Sequence, residues 1–537
     1  MNKKIKFKDL TDEMIEELKS LYVNRLENNL TVEKLAIKLG EKFNLSERTI
    51  RKWFKQLNFT EKIEIVSEQY SIAKERKTNN KKYYLISWAQ NNTSVHKGFM
   101  SNIEAYAKFL DADIHIIAGR YQNPTSIWTN QQEDNEFWVS DVLPYLDANR
   151  HDIHQYMSIM SDIKIPPTAS NPLTSMSGIS GKNSCIFGHP RVHMEMIPVL
   201  RGYKPKMMLT TGAVTVKNYT DSKSGHIGKF HHTLGAIILE VKDDETFYVR
   251  QITANEKTGN FNDLYHKISN GVVTKNTNIG GMILGDLHFG ETDEEVYESN
   301  LKLLDILEPE NIICHDVFDG SSISHHSIND PFIQYANEVS GKNDLKLEIE
   351  TMMDGLKKLD KFKNVVIVSS NHDIFLDRWL KTGPEWRKQP TFKNSLLYMD
   401  LSTRLLKQYE SGNVIGLIPE LINERYPKFK TLKPDESFRV HSFECGAHGN
   451  YGINGSRGSL QQFRKLNTKI IVGHYHTCGR KDNALAVGTL THTDLSYCSG
   501  PSSWLQSSVI IHNDGKAQHI NFIRDINNKV GYTTFKF

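Results

Sequence analysis

Between residue 279 and the C-terminus, five short apolar runs each end in residues that commonly bind metal ions. The five segments are IGGMIL before GDLHFG (285–290), ENIIC before HDVFDG (315–320), NVVIV before SSNHD (369–373), FRVHSFEC before GAHGNYG (446–452) and TKIIV before GHYHT (473–477). A short apolar run bounded by turn residues is typical of a buried strand. In open α/β sheets, ligands bind beyond the carboxyl ends of the strands, where loops converge. The repetition therefore predicts an α/β domain with one site built from five loops.

The side chains in these loops favour a site for two metal ions. Asp286 and His288 are two residues apart, and His474 and His476 repeat this spacing, so each pair can face one ion. The candidate set is completed by Asp316, Asn371 and His448. Carboxylate, amide and imidazole ligands without thiolate suit Mn²⁺, Fe²⁺ or Zn²⁺ better than Ca²⁺. Two such ions, about 3.5–4 Å apart, form a clamp for in-line attack at phosphorus.

The ordered motifs D-x-H, D-x-x-D, N-H-D, a single H and G-H-x-H resemble those of the calcineurin-like metallophosphoesterases over residues 279–535. Within that family, DVFDG (316–320) is similar to the SbcD-type nuclease branch, whereas protein Ser/Thr phosphatases usually carry Arg where this chain has Gly320. The resemblance implies an α/β catalytic domain of four layers, α/β/β/α. By architecture alone, the chain also resembles the host-DNA-degrading nucleases of T-odd coliphages.

This resemblance implies a role for each motif residue. One metal ion would be held by Asp286, His288 and His476, the other by Asn371, His448 and His474, and Asp316 would bridge the two. His372 is expected to protonate the leaving oxygen or stabilise its charge, and Asp319 to orient His372, as carboxylates commonly do for imidazoles. The expected nucleophile is a hydroxide bridging the ions. Mn²⁺ is the favoured cofactor, with Mg²⁺, Fe²⁺ and Zn²⁺ as alternatives.

Two residues depart from the family pattern, which usually has glycine before Asp316 and before Asn371. This chain has His315 and Ser370 at those positions. His315 could contact substrate or metal, although a side chain facing away from the site is the favoured interpretation. Ser370 is small, so we expect the turn to persist. Neither change removes a ligand.

Further candidate substrate contacts lie outside the ligand set. They are His325 and His326 after the second motif, and Arg457 in the glycine-rich segment GNYGINGSRGS (449–459). Such a loop with one cation suits a phosphate backbone, but it also serves as a plain connector. Tyr497 and Trp504 could stack on a base, although aromatic residues more commonly pack under a neighbouring loop.

Residues 1–60 are predicted to form a helix-turn-helix-like module. An apolar helix covers 32–39, and a second helix begins at Ser46, a suitable N-cap residue. Its basic residues fall largely opposite its apolar face, and they are candidate DNA contacts: Arg48, Arg51, Lys52 and Lys55. A helical cap or an oligomerisation module would show much the same pattern.

Three further segments complete the predicted organisation: a linker helix (61–80), an α/β middle domain (81–275) and the catalytic domain (276–537). A strand at 81–90, a helix at 102–112 and a strand at 113–121 predict a βαβ unit. Two polar clusters of the middle domain, GHPRVH (188–193) and GHIGKFHH (225–232), could bind metal or phosphate. Histidines in loops are more commonly solvated or hydrogen-bonded within the fold.

Composition restricts the cellular setting. Five widely spaced cysteines without a CxxC pair favour free thiols in a reducing cytosol. The chain has no apolar run long enough to span a membrane and no secretory signal pattern. We therefore expect a cytoplasmic protein, in the host cytoplasm if it is phage-encoded. The net charge of +3 is too small to indicate a nucleic-acid partner by itself.

The leading hypothesis is a metal-dependent DNase with DNA as its partner, acting as a homo-oligomer and without membrane contact. The alternative is a small-molecule phosphomonoesterase or nucleotide phosphodiesterase of the same fold, because the attack on phosphorus is the same. An open basic groove would favour the nuclease, and a closed pocket would favour the alternative. A third hypothesis is a DNA-binding regulator with an inactive esterase domain, which the intact ligand set disfavours.

Overall fold

The computed structural model describes residues 6–23, 32–57, 80–121, 138–275, 278–324, 330–382, 393–466, 468–495 and 498–533. Over these ranges the chain is a mixed α/β protein, which confirms the predicted class. No helix among the described residues is long and apolar enough to cross a lipid bilayer. The predicted linker helix (61–80) lies outside the described residues except for its last position.

Three helices form the N-terminal module: α1 (Asp12–Val23), α2 (Val32–Phe43) and α3 (Glu47–Gln56). Their shared core consists of aliphatic and aromatic side chains, among them Leu18, Leu35, Leu39, Ile50, Trp53 and Phe54. The hydroxyl of Ser46 accepts a hydrogen bond from the Thr49 N–H over 3.2 Å, so the predicted N-cap is confirmed. The turn before it is closed by the Leu45 N–H, which donates to the Gly40 carbonyl over 2.9 Å.

The elements between residues 80 and 275 are β1 (Tyr83–Gln90), α4 (Lys97–Leu110), β2 (Ala112–Gly119), β3 (Leu146–Asp147), β4 (Arg150–His154), β5 (Met157–Met160), β6 (Ser184–Phe187), β7 (His193–Ile197), β8 (Lys206–Thr210), α5 (Lys223–His231), β9 (Gly235–Val241), β10 (Phe247–Thr253), β11 (Phe261–Asp263), β12 (His266–Ser269) and β13 (Val272–Lys275). Strands β1 and β2 are parallel and α4 connects them, so the predicted βαβ unit is confirmed. Together with β3, β9 and β10 they form a sheet in the order β10-β9-β1-β2-β3.

The elements after residue 278 are β14 (Ile279–Ile283), α6 (Glu294–Leu307), β15 (Ile312–Cys314), α7 (Pro331–Val339), α8 (Leu345–Lys357), β16 (Val365–Ile367), α9 (Asp373–Lys381), α10 (Ser395–Ser411), α11 (Leu417–Arg425), β17 (Lys430–Thr431), β18 (Arg439–Val440), β19 (Phe443–Glu444), α12 (Leu460–Phe463), β20 (Lys469–Val472), β21 (Gly479–Lys481), β22 (Ala484–Ala486), β23 (Ser507–His512), β24 (Ala517–Asn521), β25 (Ile523–Arg524) and β26 (Val530–Gly531). A strand therefore precedes each of the five ligand motifs, as predicted.

Two sheets pack face to face in this half of the chain. One has the order β17-β16-β15-β14-β23-β24, and the other includes β18-β19-β20-β22-β21. Ile283, Ile313 and Val366 of the first sheet share a buried core with Ile471 and Leu485 of the second. The opposite face of the first sheet packs against α6 and α8 to α11. Burial on both faces explains why these strands are almost continuously apolar.

The second sheet continues into the preceding part of the chain. Strand β21 pairs with β7, with Arg480 opposite Met194 and Lys481 opposite His193. Beyond β7 the sheet runs through β8, β6, β5 and β4. Strands from both sides of residue 276 thus share one sheet, and this junction positions several middle-domain side chains against the C-terminal half.

Candidate metal centre

One group of ligand atoms lies where β14, β15 and β20 end. Nε2 of His288 is 3.0 Å from Nε2 of His476 and 3.4 Å from Oδ2 of Asp316. Nε2 of His476 is also 3.4 Å from Oδ2 of Asp286. The ligand atoms of these four buried residues lie within 4.8 Å of one another, which is close enough for one metal ion to contact all of them.

A second group adjoins the first and shares Asp316 with it. Nε2 of His448 lies 3.0 Å from Oδ2 of Asp316 and 3.1 Å from Oδ1 of Asn371. The ligand atoms of Asp316, His448 and His474 also lie within 4.8 Å of one another. The structure therefore brings together all seven predicted ligands in two adjoining groups, and Asp316 belongs to both.

The backbone at four of these residues is left-handed. His288, Asp316, His474 and His476 have φ angles of 42°, 45°, 75° and 52°. Such a conformation is uncommon for residues other than glycine, and it concentrates at functional sites where the surrounding fold maintains it. It turns each chain sharply after its strand, so that ligands from separate strands face a common point.

Gly473 has no room for a side chain. A Cβ at this position would lie 2.3 Å from Oδ1 of Asp286 and 3.0 Å from the His315 ring. Any larger residue would displace the Asp286 carboxylate. This contact explains the glycine at the start of the GHYHT motif.

The buried oxygens of the site fit a bound cation. Three carboxylate oxygens of the site accept no hydrogen bond from the described residues: Oδ1 and Oδ2 of Asp286, and Oδ1 of Asp316. Both residues are almost fully buried, and a buried carboxylate oxygen without a hydrogen bond is costly unless a cation lies beside it. Burial, reinforced by the charge of Asp316, raises the pKa of Asp286 to about 7. Burial would also raise the pKa of Asp316, but His448 and His288 hold it well below its usual value.

His372 lies beside the first group, and its ring centroid is 4.4 Å from that of His288. Its Nδ1 donates to the backbone carbonyl oxygen of Asp319 over 2.6 Å. The Asp319 carboxylate instead lies 3.3 Å from Nδ1 of His288. Asp319 therefore contacts His372 through its main chain and His288 through its side chain, which the motif pattern did not reveal.

Ser370 and Asp373 hydrogen-bond each other reciprocally across the turn that leads into α9, whose N-cap residue is His372. The Asp373 N–H donates to Oγ of Ser370 over 3.2 Å, and the Ser370 N–H donates to Oδ2 of Asp373 over 3.1 Å. This is the hydrogen-bond pattern of a capping box, with Asp in place of Glu. The serine that departs from the family pattern thus has a structural role, and the turn that carries Asn371 persists.

His315 is fully buried beneath His448. The Nδ1 atoms of the two rings are 3.3 Å apart, and burial, together with the charge of His448, lowers the pKa of His315 to about 3. The His315 side chain therefore packs against the predicted ligand His448. Because His315 is fully buried, a substrate would not reach it.

The solvent-facing side of the second group contains Arg457 and a small cavity. Arg457 is exposed. Burial lowers the pKa of His474 to about 4, and the charges of His448 and Arg457 act in the same direction. A cavity of about 260 Å³ is lined by Ser369, His448, Asn450 and Tyr451 among others. Arg457 forms a backbone bridge with Tyr451, a residue of the cavity wall, so its exposed side chain lies near this cavity.

The remaining candidate substrate and DNA contacts either lie outside the described residues or have other contacts. His325, His326 and Tyr497 lie outside the described residues. Trp504 packs against the His476 ring, with centroids 4.3 Å apart. The basic residues of α3 lie far along the chain in the N-terminal module, where Arg48, Lys52 and Lys55 are exposed and Arg51 pairs with Glu47 over 2.9 Å.

Glu348, on α8, is one residue that motif reasoning did not identify. Its Oε1 accepts from the Ser321 N–H over 2.6 Å, and its Oε2 accepts from the Ser322 hydroxyl. It thereby fixes the loop that follows Asp319. Nothing in the local sequence distinguishes this glutamate from the other acidic residues of the helix.

Comparison with known proteins identifies a phage relative. The chain is 29% identical over 458 residues to Protein A1 of Escherichia phage T5, and the aligned region covers 82% of each protein. No family model matches the chain, and no solved structure matches it. The relative supports a phage origin for the chain, and the buried ligand groups agree with a divalent-metal site.

Proposed function

We propose that the chain is a metal-dependent DNase of the metallophosphoesterase type that hydrolyses phosphodiester bonds. The observation that carries this proposal is that Asp316 belongs to two adjoining ligand groups, so that two ions can share one carboxylate. Two ions held there would stabilise the charge on the phosphoryl group and supply a nucleophile at neutral pH. Mn²⁺ is the favoured metal because both groups combine imidazole with oxygen ligands.

His372 would act on the leaving oxygen. A carbonyl oxygen can only accept a hydrogen bond, so the contact with Asp319 places a proton on Nδ1 of His372. Nε2 can then give a proton to the leaving group from the imidazolium form of the ring, in which both nitrogens carry hydrogen. The rigid strand ends and the turn that leads into α9 hold this imidazole beside the ligands, as efficient general acid catalysis requires.

The N-terminal module would hold the substrate. Arg48, Lys52 and Lys55 are exposed on α3, while Ile50 and Trp53 on the same helix are buried. One face of this helix is therefore available to DNA phosphates or to a groove. We also propose that the protein works in the cytoplasm, as a homo-oligomer, with 276–537 as the catalytic domain.

The small-molecule phosphoesterase remains the second candidate. The 260 Å³ cavity beside His448 would suit a compact substrate. Exposed Arg457 favours a longer substrate, since it would offer a phosphate contact outside that cavity. The inactive-regulator hypothesis is disfavoured because every predicted ligand lies within the two groups.

Substrate choice and metal dependence can be tested together. Purified protein is incubated with linear DNA, circular DNA or a chromogenic phosphomonoester, with Mn²⁺ or with EDTA. We expect DNA cleavage with Mn²⁺, none with EDTA, and severe loss in His372→Ala. His226→Ala, an exposed histidine substitution outside the ligand groups, is the matched control and should keep full activity. Intact DNA together with rapid hydrolysis of the phosphomonoester would overturn the nuclease proposal.

A further inference from the structure

A cavity of about 530 Å³ lies where the middle-domain strands join the C-terminal sheet. Its wall includes Lys469, at the start of β20, whereas His474 and His476 follow the other end of that strand. The length of β20, about 10 Å at the usual rise per residue, separates this junction cavity from the metal centre. The two sites are therefore distinct.

Besides Arg464, which pairs with Asp482, three cations line the junction cavity: Lys469, Arg480 and Lys516. Arg480 is only 5% exposed. Its Nε donates to the Asp482 carbonyl over 3.0 Å, and Nζ of Lys469 donates to the Gly515 carbonyl over 2.9 Å. Within the described ranges, no carboxylate lies at ion-pair distance from any of the three.

Burial lowers the pKa of all three groups. For Lys469, the charges of Lys516 and Arg480 add to this effect and the charge of Asp514 opposes it. For Lys516, the charge of Asp514 opposes the effect, the charge of Arg480 adds to it, and the charge of Glu256 also opposes it. The pKa of Arg480 falls to about 10 through burial. The cations thus lie close enough to repel one another in a partly desolvated space, an arrangement that costs free energy without an anion.

The acidic groups of the cavity wall are already engaged. Asp482 faces Arg464 at 3.0 Å, Arg191 and His193 at 3.3 Å each, and His231 at 3.4 Å. The other carboxylate of the wall, Glu256, pairs over 2.8 Å with Lys217. The GHPRVH and GHIGKFHH clusters of the sequence converge here through Asp482. The cavity therefore keeps an excess of positive charge.

Part of the wall is apolar. Phe230, at the end of α5, lines the cavity and is 78% exposed. Leu234 and Phe443 also line it, and both are buried. An exposed aromatic ring beside a cationic recess offers one surface for stacking a base and another for binding a phosphate.

We infer that the junction cavity binds a nucleoside monophosphate, with its phosphate at Lys469, Arg480 and Lys516 and its base against Phe230. The volume falls within the range of about 300–1,000 Å³ that is usual for small-molecule sites. A phosphate with two negative charges would replace the missing counter-ions of the three cations. The inference does not depend on the reaction at the metal centre.

Binding is measured by titration calorimetry in EDTA, so that the metal centre is empty of metal and no DNA is cleaved. The probes are deoxyadenosine monophosphate, deoxyadenosine, inorganic phosphate and a 5′-phosphorylated oligonucleotide. We expect saturable binding of the monophosphate and none of deoxyadenosine. Lys516→Met should weaken binding roughly tenfold or more, the loss expected for one charge-assisted hydrogen bond. Phe230→Ala should weaken the binding of the monophosphate but not the binding of inorganic phosphate.

Lys223→Met, an exposed lysine substitution on α5 outside the cavity wall, is the matched control and should bind normally. The far-UV circular dichroism spectrum and the Tm of ligand-free Lys516→Met should match those of the wild type, so that misfolding cannot account for lost binding. Three results would overturn the inference: absence of saturable monophosphate binding, binding that Lys516→Met leaves unchanged, or binding of the oligonucleotide without the monophosphate. Equal binding of phosphate and monophosphate, unaffected by Phe230→Ala, would overturn the nucleoside assignment.

Discussion

Nδ1 of His372 donates to the backbone carbonyl oxygen of Asp319 over 2.6 Å, while the Asp319 carboxylate lies 3.3 Å from Nδ1 of His288. One residue thus positions two imidazoles with two different groups. Because a side-chain substitution leaves the carbonyl in place, the contributions of the two contacts can be separated experimentally.

His372→Ala should reduce kcat for DNA cleavage by roughly 10²–10⁴-fold, the range typical of general acid catalysis. The bound metal should not change, because His372 is not one of the seven ligands. Cleavage rates at saturating Mn²⁺ and metal content by atomic emission measure the two effects. A normal kcat would rule out the proposed role, and loss of bound metal would make His372 a ligand.

Asp319→Asn should reduce metal affinity more than kcat, in contrast to His372→Ala. Its carboxylate holds His288, and removing such a partner typically weakens metal binding by roughly 10–100-fold. At saturating Mn²⁺, however, kcat should return close to the wild-type value, since the carbonyl still orients His372. Mn²⁺ titrations of cleavage provide this comparison. If kcat falls as far as in His372→Ala while metal affinity is normal, the carboxylate acts on His372 after all.

Ser370→Ala should destabilise the protein by about 1 kcal/mol, the usual net contribution of one hydrogen bond. Ser370→Gly should cost at least as much, because it loses the same hydroxyl and glycine gives up more backbone freedom on folding. Urea unfolding in EDTA measures both without a contribution from metal, and the neighbouring Ser369→Ala is the control. Equal stability of Ser370→Ala and wild type would show that the hydrogen bonds between Ser370 and Asp373 contribute nothing to the free energy of unfolding.

A buried pair in the middle of the chain makes stability depend on pH. Nε and Nη2 of Arg250 bind Oδ1 and Oδ2 of Asp263 over 2.8 and 3.0 Å. Burial alone would raise the pKa of Asp263, but Arg250 holds it below its usual value. The stabilisation is therefore complete above the unfolded-state pKa of about 3.9 and is lost as the pH falls through the lower folded-state pKa.

Asp263→Asn should consequently cost about 3–5 kcal/mol at neutral pH, because it leaves Arg250 buried without this partner. The difference from wild type should narrow as the pH falls below about 4. Urea unfolding across this pH range tests both points, with the exposed Asp111→Asn as control. A difference that stays constant with pH would mean that the Asp263 charge does not contribute.

Local patterns were sufficient for much of the architecture. Alternation of apolar runs with turn residues located the strands before all five motifs, and Ser46 marked the start of α3. The seven ligands were predictable because the strand ends of neighbouring strands meet in space, whatever their separation in sequence; here they come from the two packed sheets. These predictions rest on short-range chemistry, which the sequence displays directly.

Long-range pairing was not predictable in the same way. The register of β21 with β7 brings Asp482 to Arg191 and His193, almost 300 residues earlier, and no local pattern specifies such a partner. Similarly, the D-x-x-D motif placed Asp319 near His372 but could not show whether the carboxylate or the carbonyl makes the contact. That choice depends on the path of the main chain after Asp316.

The central claim, two ions sharing Asp316, is tested most directly by a Mn²⁺ titration of metal-free protein in which bound metal and DNA cleavage are followed together. We expect cleavage to rise as the second ion binds. Asp316→Ala should fail to hold two ions and should not cleave DNA, while the exposed Asp354→Asn behaves as wild type. Full cleavage by Asp316→Ala, or by protein that holds no metal, would contradict the two-ion site.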